Sequence, residues 1–413
     1  MAKSSPKKKS TKRNHGIKPP PVERPMQGSQ EFWFQLVTVS FLLPTIVTSL
    51  ALRWKPNRFL SRLVIFFVLD CVYGSAIRTL IHPLASFFVK HYFSNTNANH
   101  SVHMSNDPTI IWPPLNSKIP HGWNEMAKTR QRDSGEPVFF LNHVRGSMRF
   151  QQAMFRVADA CGTLLTVFVE SQYVFVEPLS LIGLLPISWA DFGWGVLVGS
   201  SIIIGLFVVE VAMGWIHIIQ YLEVVDENES LWINLLWDFL FHISVSVNEE
   251  VSLRGWVLVH FIVWLHLDWG VSVAISALVA IGLQAVLFAS MHARSPGASY
   301  LGLINLVVGG TAAAINVVIS GGLWFPLGWH FSWNIWMGHL LGLSTSGIPM
   351  SAKLVSVVPH PQKVRWHGGR FGPEQSPLAS AVYLLGLALL LWIYGTEQGI
   401  HEWNQKLSLQ KLT

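Results

Sequence analysis

The chain has 413 residues, of which 50% are hydrophobic and 13% charged, with a formal net charge of +6. A soluble globular protein carries about 25% charged residues, so this composition excludes a water-soluble fold for most of the chain. The deficit is uneven: residues 295–352 contain no Asp, Glu, Lys or Arg. A helix that spans the hydrocarbon core needs roughly 20 apolar residues, so that stretch alone holds two.

In chain order, the first 30 residues form a basic tail with Lys3, Lys7, Lys8, Lys9, Lys12, Arg13 and Lys18, followed by Pro19, Pro20 and Pro21. Such a composition predicts disorder. The tail reads as a cytoplasmic segment touching anionic lipid; no nucleic-acid partner is expected from it. No short apolar core follows the basic residues directly, so the tail is not read as a secretory signal. Residues 31–230 read as an N-terminal membrane region. It holds a span at Phe34–Leu52 and a longer segment at Phe59–Tyr92, interrupted by Asp70, Arg78, His82 and Pro83. That interruption predicts one span followed by an interfacial amphipathic helix. A polar loop over 94–146 follows, then spans at Ala153–Val176 and Trp194–Ile219.

Residues 231–396 carry further apolar runs at Leu231–Trp264, Val271–His292, Ser299–Ile319, Leu323–Leu343 and Leu378–Tyr394. An extramembrane loop is predicted over Ser344–Pro377 and a polar tail over 397–413. Tryptophans such as Trp194, Trp215, Trp264, Trp269 and Trp324 stand at ends of these runs, where membrane interfaces favour amphipathic rings. Backbone polar groups must be satisfied inside lipid, so the runs should be helices. The predicted fold is all-α, a polytopic transmembrane bundle of about eight spans, with no competing strand pattern. Cys71 and Cys161 both lie in apolar segments and imply no disulfide framework.

The informative residues are polar groups inside apolar helices. Each charge at mid-membrane costs about 2.5–3.5 kcal/mol on insertion scales, so a cluster there calls for a reason. Glu249 and Glu250 are adjacent in one run, and Arg254 follows Glu250 by four, in the acidic-then-basic order that pairs on one helix face. Glu249 is left without a local partner, and a carboxylate so placed suits general acid–base work. The same residues also fit a bland reading, a helix-stabilising pair beside a wet cavity. Two further pairs weigh against it. Phe288 and His292 are four apart near the end of one run, and His330 and Asn334 are four apart inside another. Each pair shares a helix face, and intramembrane polar groups turn toward the bundle interior. Gln284, one turn before Phe288, is expected to face the same cavity. His217, His242, His260, His266 and His339 have no partner at a telling spacing and read as interfacial or core residues.

The order Glu-Glu-x-x-x-Arg, Phe-x-x-x-His, His-x-x-x-Asn resembles the three motifs of the family of CAAX prenyl proteases and bacteriocin-processing enzymes, also called the abortive-infection or lysostaphin-resistance-like family. The segment Gly322 to Asn334 and the run Gly368-Gly369-Arg370-Phe371-Gly372-Pro373-Glu374 look like family segments as well. The resemblance covers roughly Leu231 to Tyr394 and implies an intramembrane endopeptidase acting on a membrane-associated or prenylated protein substrate. It implies that Glu249 activates the attacking water, with His292 helping to hold or deprotonate it. His330 and Asn334 would stabilise the oxyanion, Glu250 and Arg254 would orient the site, and Phe288 would pack beside it.

Two questions stay open at this stage. Glu249, His292 and His330 are also groups that ligate zinc in hydrolytic sites, so a metalloendopeptidase and a direct glutamate mechanism both fit. The residues after Phe-x-x-x-His are Ala293-Arg294-Ser295-Pro296, where eukaryotic Ras-converting enzymes have a histidine-rich extension. CAAX-type processing and another membrane-anchored substrate therefore both remain. The competing classes are a catalytically silent scaffold or immunity-type protein of the same fold, and a transporter using the carboxylates and histidines as a proton relay.

Overall fold

The computed structural model describes residues 43–53, 59–89, 120, 122–123, 126, 146–175, 177–224, 229–348 and 350–394. The basic N-terminal tail, most of the first predicted span, nearly all of the 94–146 loop and the C-terminal tail lie outside the described residues. The elements in order are α1 (Leu43–Arg53), α2 (Phe59–Phe88), α3 (Gly146–Val169), α4 (Trp189–Ala212), β1 (Ile216–Val224), α5 (Leu231–Glu249), α6 (Leu258–Leu267), α7 (Val273–Met291), α8 (Tyr300–Ser320), α9 (Trp324–Ile335), β2 (Ala352–Pro359), α10 (Val364–His367) and α11 (Pro377–Tyr394).

Among the described residues six helices are long and apolar enough to cross a membrane, at 62–88, 147–174, 189–212, 231–267, 273–291 and 300–320. Their outward faces are apolar and exposed: Leu80, Leu84 and Phe87 on α2, Leu197 and Val208 on α4, Ile275 and Leu278 on α7. Apolar surface of that extent has a lipid-facing purpose. The protein is a multi-pass integral membrane protein with a mainly helical fold.

The spans pack through small residues. Gly195 and Gly199 on α4 and Gly328 on α9 form one crossing: a Cβ at Gly195 would run into the Phe325 carbonyl, and one at Gly328 into the Phe192 carbonyl. Gly162 on α3 meets the Gly74 backbone of α2 in the same way. Small residues let helix backbones approach, which is how apolar helices gain contact in a solvent as apolar as themselves. Helix ends follow ordinary chemistry. Ser299 caps α8 by accepting from the Gly302 N–H at 3.2 Å, and Gly321 ends it at φ 68°.

Several expectations are corrected. The Phe59–Tyr92 segment is one helix to Phe88 with Pro83 inside, not a span plus an interfacial helix. Its charges are matched across the α2–α3 contact: Arg78 pairs with Asp159, and Asp70 accepts from Thr163 at 2.6 Å. The run predicted through Ile219 ends at Ala212 and gives way to β1, which pairs antiparallel with β2 from Ile216↔Pro359 to Val224↔Ala352. This small sheet was not expected, because its two strands are far apart in sequence and each is short. The Leu323–Leu343 run is a shorter helix, α9, widened into a π-turn at Trp336–Leu340. The segment after it is not simply an external loop: Thr345, Ser346 and Glu374 are buried against the bundle.

Candidate active site

The helix that begins as α5 widens at Glu250–Val257 into a π-helical stretch before α6 resumes. Such π insertions are rare and recur at functional sites, because they re-aim side chains within an otherwise regular helix. Here both Glu249 and Glu250 reach one cavity of about 320 Å³. The cavity is also lined by Arg254, Phe288, His292, His330, Asn334 and Glu374. Three motifs from α5, α7 and α9 therefore meet at one place. Its volume lies at the lower end of the range for small-ligand sites.

Glu250 is the hub. Its Oε1 accepts from Arg254 Nη1 at 2.9 Å and from His330 Nδ1 at 2.7 Å, and both Glu250 and Arg254 are almost fully buried. The Arg254 guanidinium also lies 4.1 Å from the Phe288 ring centre, which places that ring under a cation. With Nδ1 engaged, His330 turns Nε2 toward Glu249, whose Oε2 lies 3.9 Å away. That gap is too long for a direct hydrogen bond and has the width for one bridging water. Among the described residues, the buried Glu249 Oε2 has no hydrogen-bond partner. Next to it, Asn248 donates to Thr163 at 2.7 Å, and Thr163 continues to Asp70, so α5 is tied to α3 and α2 beside the site. His292 ends α7 and donates Nδ1–H to the Phe288 carbonyl at 3.0 Å. The Phe288 ring stands perpendicular to His330, with centres 6.2 Å apart.

Gln284 is corrected: it is fully buried, is not among the cavity residues, and donates to the Gly310 carbonyl at 2.9 Å, joining α7 to α8. Of the histidines read as interfacial or core residues without a partner at a telling spacing, three are core residues with partners distant in sequence. His242 and His339 are fully buried but face each other at 2.9 Å, and His339 lies 3.1 Å from Asp238, which also pairs with Arg149. His260 bonds to Glu177 at 2.9 Å. None of these partners stands at helical spacing, so sequence offered no signal for them.

Glu374 is the functional-site residue that residue-by-residue reading passed over, although its glycine-rich neighbourhood carried part of the resemblance. It accepts from Trp333 Nε1 at 3.2 Å, and from the backbone N–H and Oγ of Ser346 at 3.1 and 2.7 Å. Burial pushes its carboxyl upward, against these hydrogen bonds and the two nearby histidines, which pull it down. The three donors hold a tight turn in which Ser346 has φ 47° and Gly347 φ 76°. That turn forms one wall of the cavity.

Residues 229–336 match the family model of the Rce1-like type II CAAX prenyl endopeptidases. That segment is similar to the CAAX prenyl protease and abortive-infection family. The matched segment contains all three motifs and ends before the turn held by Glu374. Searches of curated proteins and of solved structures give no match. The family supports a hydrolase with CAAX-type intramembrane endopeptidase activity, a lipid bilayer around it and a membrane-associated substrate.

A divalent metal was one of the readings of Glu249, His292 and His330. Among the described residues, no group of three or more His, Cys, Asp or Glu side chains is placed to hold a metal ion. His330 commits Nδ1 to Glu250, and its Nε2 lies 3.9 Å from Glu249.

Proposed function

We propose that the protein is an intramembrane endopeptidase in which Glu249 activates a water held between its carboxylate and His330, cleaving a peptide bond near the C-terminus of a membrane-anchored, prenylated protein. The observation that carries this reading is the 3.9 Å gap between the unpartnered Glu249 Oε2 and His330 Nε2 on the cavity wall. Glu249 takes a proton from the water as its oxygen attacks the scissile carbonyl carbon. His292, with Nδ1 on a backbone carbonyl, offers Nε2 to the same space. Charge then develops on the carbonyl oxygen, and donors fixed in advance around it lower the barrier because they need no reorganisation. Asn334 supplies an amide N–H. His330 supplies Nε2–H as the imidazolium, whose charge Glu250 faces from the other side. Collapse of the tetrahedral intermediate passes the proton from Glu249 to the leaving amine.

Glu250 and Arg254 act through His330. Their buried pairing fixes the imidazole's orientation, and a site of this kind loses rate steeply when geometry slips. The test uses purified wild type and Glu249→Gln in detergent, with a panel of membrane-anchored and prenylated peptides read by mass spectrometry. Cleavage by wild type alone is the expected result. Equal cleavage by both proteins would remove Glu249 from its role, and cleavage by neither would favour a silent scaffold of the same fold.

A further inference from the structure

Among the described residues, the cavity has one cation that the catalytic reading does not use. Arg156 comes from α3, in the half of the chain outside the family match, yet its side chain lines the cavity. It is about half exposed, and its ionic neighbour among the described residues is Asp159 at 3.8 Å, a carboxylate already taken by Arg78. A guanidinium inside a membrane span avoids lipid and turns to a watery space, and such residues mark substrate paths. Arg156 therefore presents a fork of donors suited to a carboxylate.

Its position along the cavity can be measured against α5. The Arg156 guanidinium lies 5.7 Å from the Phe241 ring centre. Phe241, Val245 and Glu249 are spaced by four and all line the cavity, so one stripe of α5 leads from Arg156 to the reacting carboxylate. Eight residues of α-helix rise about 12 Å. An extended peptide covers about 3.3–3.6 Å per residue, so three to four residues bridge that distance.

We propose that Arg156 binds the free C-terminal carboxylate of the substrate and so sets the cut three to four residues from the chain end. This rests on the peptidase reading of the site. The carboxylate is the substrate's anchor and Arg156 a specificity residue; the bond broken is still the amide attacked at Glu249. A phosphate of anionic lipid shares the charge but arrives without a peptide attached, and the test separates the two.

Two measurements decide it. In the first, Glu249→Gln in zwitterionic detergent is titrated with a lipid-anchored peptide ending either in a free carboxylate or in an amide. The carboxylate form is expected to bind at least about tenfold more tightly, a preference erased by adding Arg156→Gln and partly kept by Arg156→Lys. In the second, wild type and Arg156→Gln cleave the same peptides. Wild type is expected to release a fragment of three to four residues from the carboxylate form. Arg156→Gln is expected to raise KM for that form with little change in kcat. Equal binding of both peptides, or a carboxylate preference that survives Arg156→Gln, overturns the proposal. An effect of Arg156→Gln that appears only when anionic lipid is added assigns the residue to lipid and also overturns it. If no peptide is cleaved but the binding preference depends on Arg156, the anion site stands and the peptidase reading fails.

Discussion

Glu250 Oε1 receives His330 Nδ1 at 2.7 Å, and through this bond a carboxylate on the π-helical stretch of α5–α6 sets the direction of an imidazole on α9. Arg254 holds the same oxygen from one turn away. The two adjacent glutamates thus divide the work: Glu250 is spent on orientation, and Glu249 is left free at the cavity wall.

Glu249→Gln removes the base while keeping the side chain's size. Loss of a positioned general base costs about 10²–10⁴ in rate. Turnover is expected to fall by that factor with the melting temperature in detergent unchanged. Retained turnover would show that another group takes the proton.

Arg254→Met breaks a buried pair and leaves Glu250 with His330 in place of its guanidinium partner. Removing one partner of such a pair costs about 3–5 kcal/mol. A clear drop in melting temperature is expected, and Glu250→Gln on the same background should recover part of it. A double variant no more stable than the single one would contradict the pairing energetics.

Asn334→Ala removes a donor expected at the developing oxyanion. Loss of one such donor lowers kcat by about 10²–10³. The effect should fall on kcat and leave KM nearly constant; an increase in KM alone would make Asn334 a binding residue instead.

Chelation is expected to leave cleavage intact, because Glu249, His292 and His330 do not assemble as a ligand set. Turnover measured before and after dialysis against a chelator checks this. Loss of activity restored by added zinc would bring those residues together in a way the apo geometry does not.

Glu177 links stability to acid. Burial raises its carboxyl, but His260 and Arg62 outweigh that and bring it down to about 2. A depressed carboxylate contributes stability above its unfolded value near 4.5, and the contribution is lost as pH falls toward 2. The full difference corresponds to roughly 3 kcal/mol at 1.36 kcal/mol per unit. Melting temperature should therefore fall more steeply with acid in wild type than in Glu177→Gln. Parallel curves would refute the coupling.

The charge deficit by itself determined that this is a membrane protein, since lipid admits few ionised groups and requires helices. Spacing by four determined which polar residues share a face, so Glu250 with Arg254, Phe288 with His292, and His330 with Asn334 were legible in the sequence. Helical periodicity is a local property, however, and says nothing about which face of one helix meets which face of another. The tertiary structure alone decided that His330 bonds to Glu250, that Gln284 leaves the cavity for Gly310, and that His242 and His339 meet. It also brought Glu374 and Arg156 to the cavity from segments outside the three spaced motifs. Those contacts depend on how closely the helices approach, set by glycines at Gly195, Gly199 and Gly328, and on how the chain after α9 folds back. Such distances arise only when the whole bundle packs.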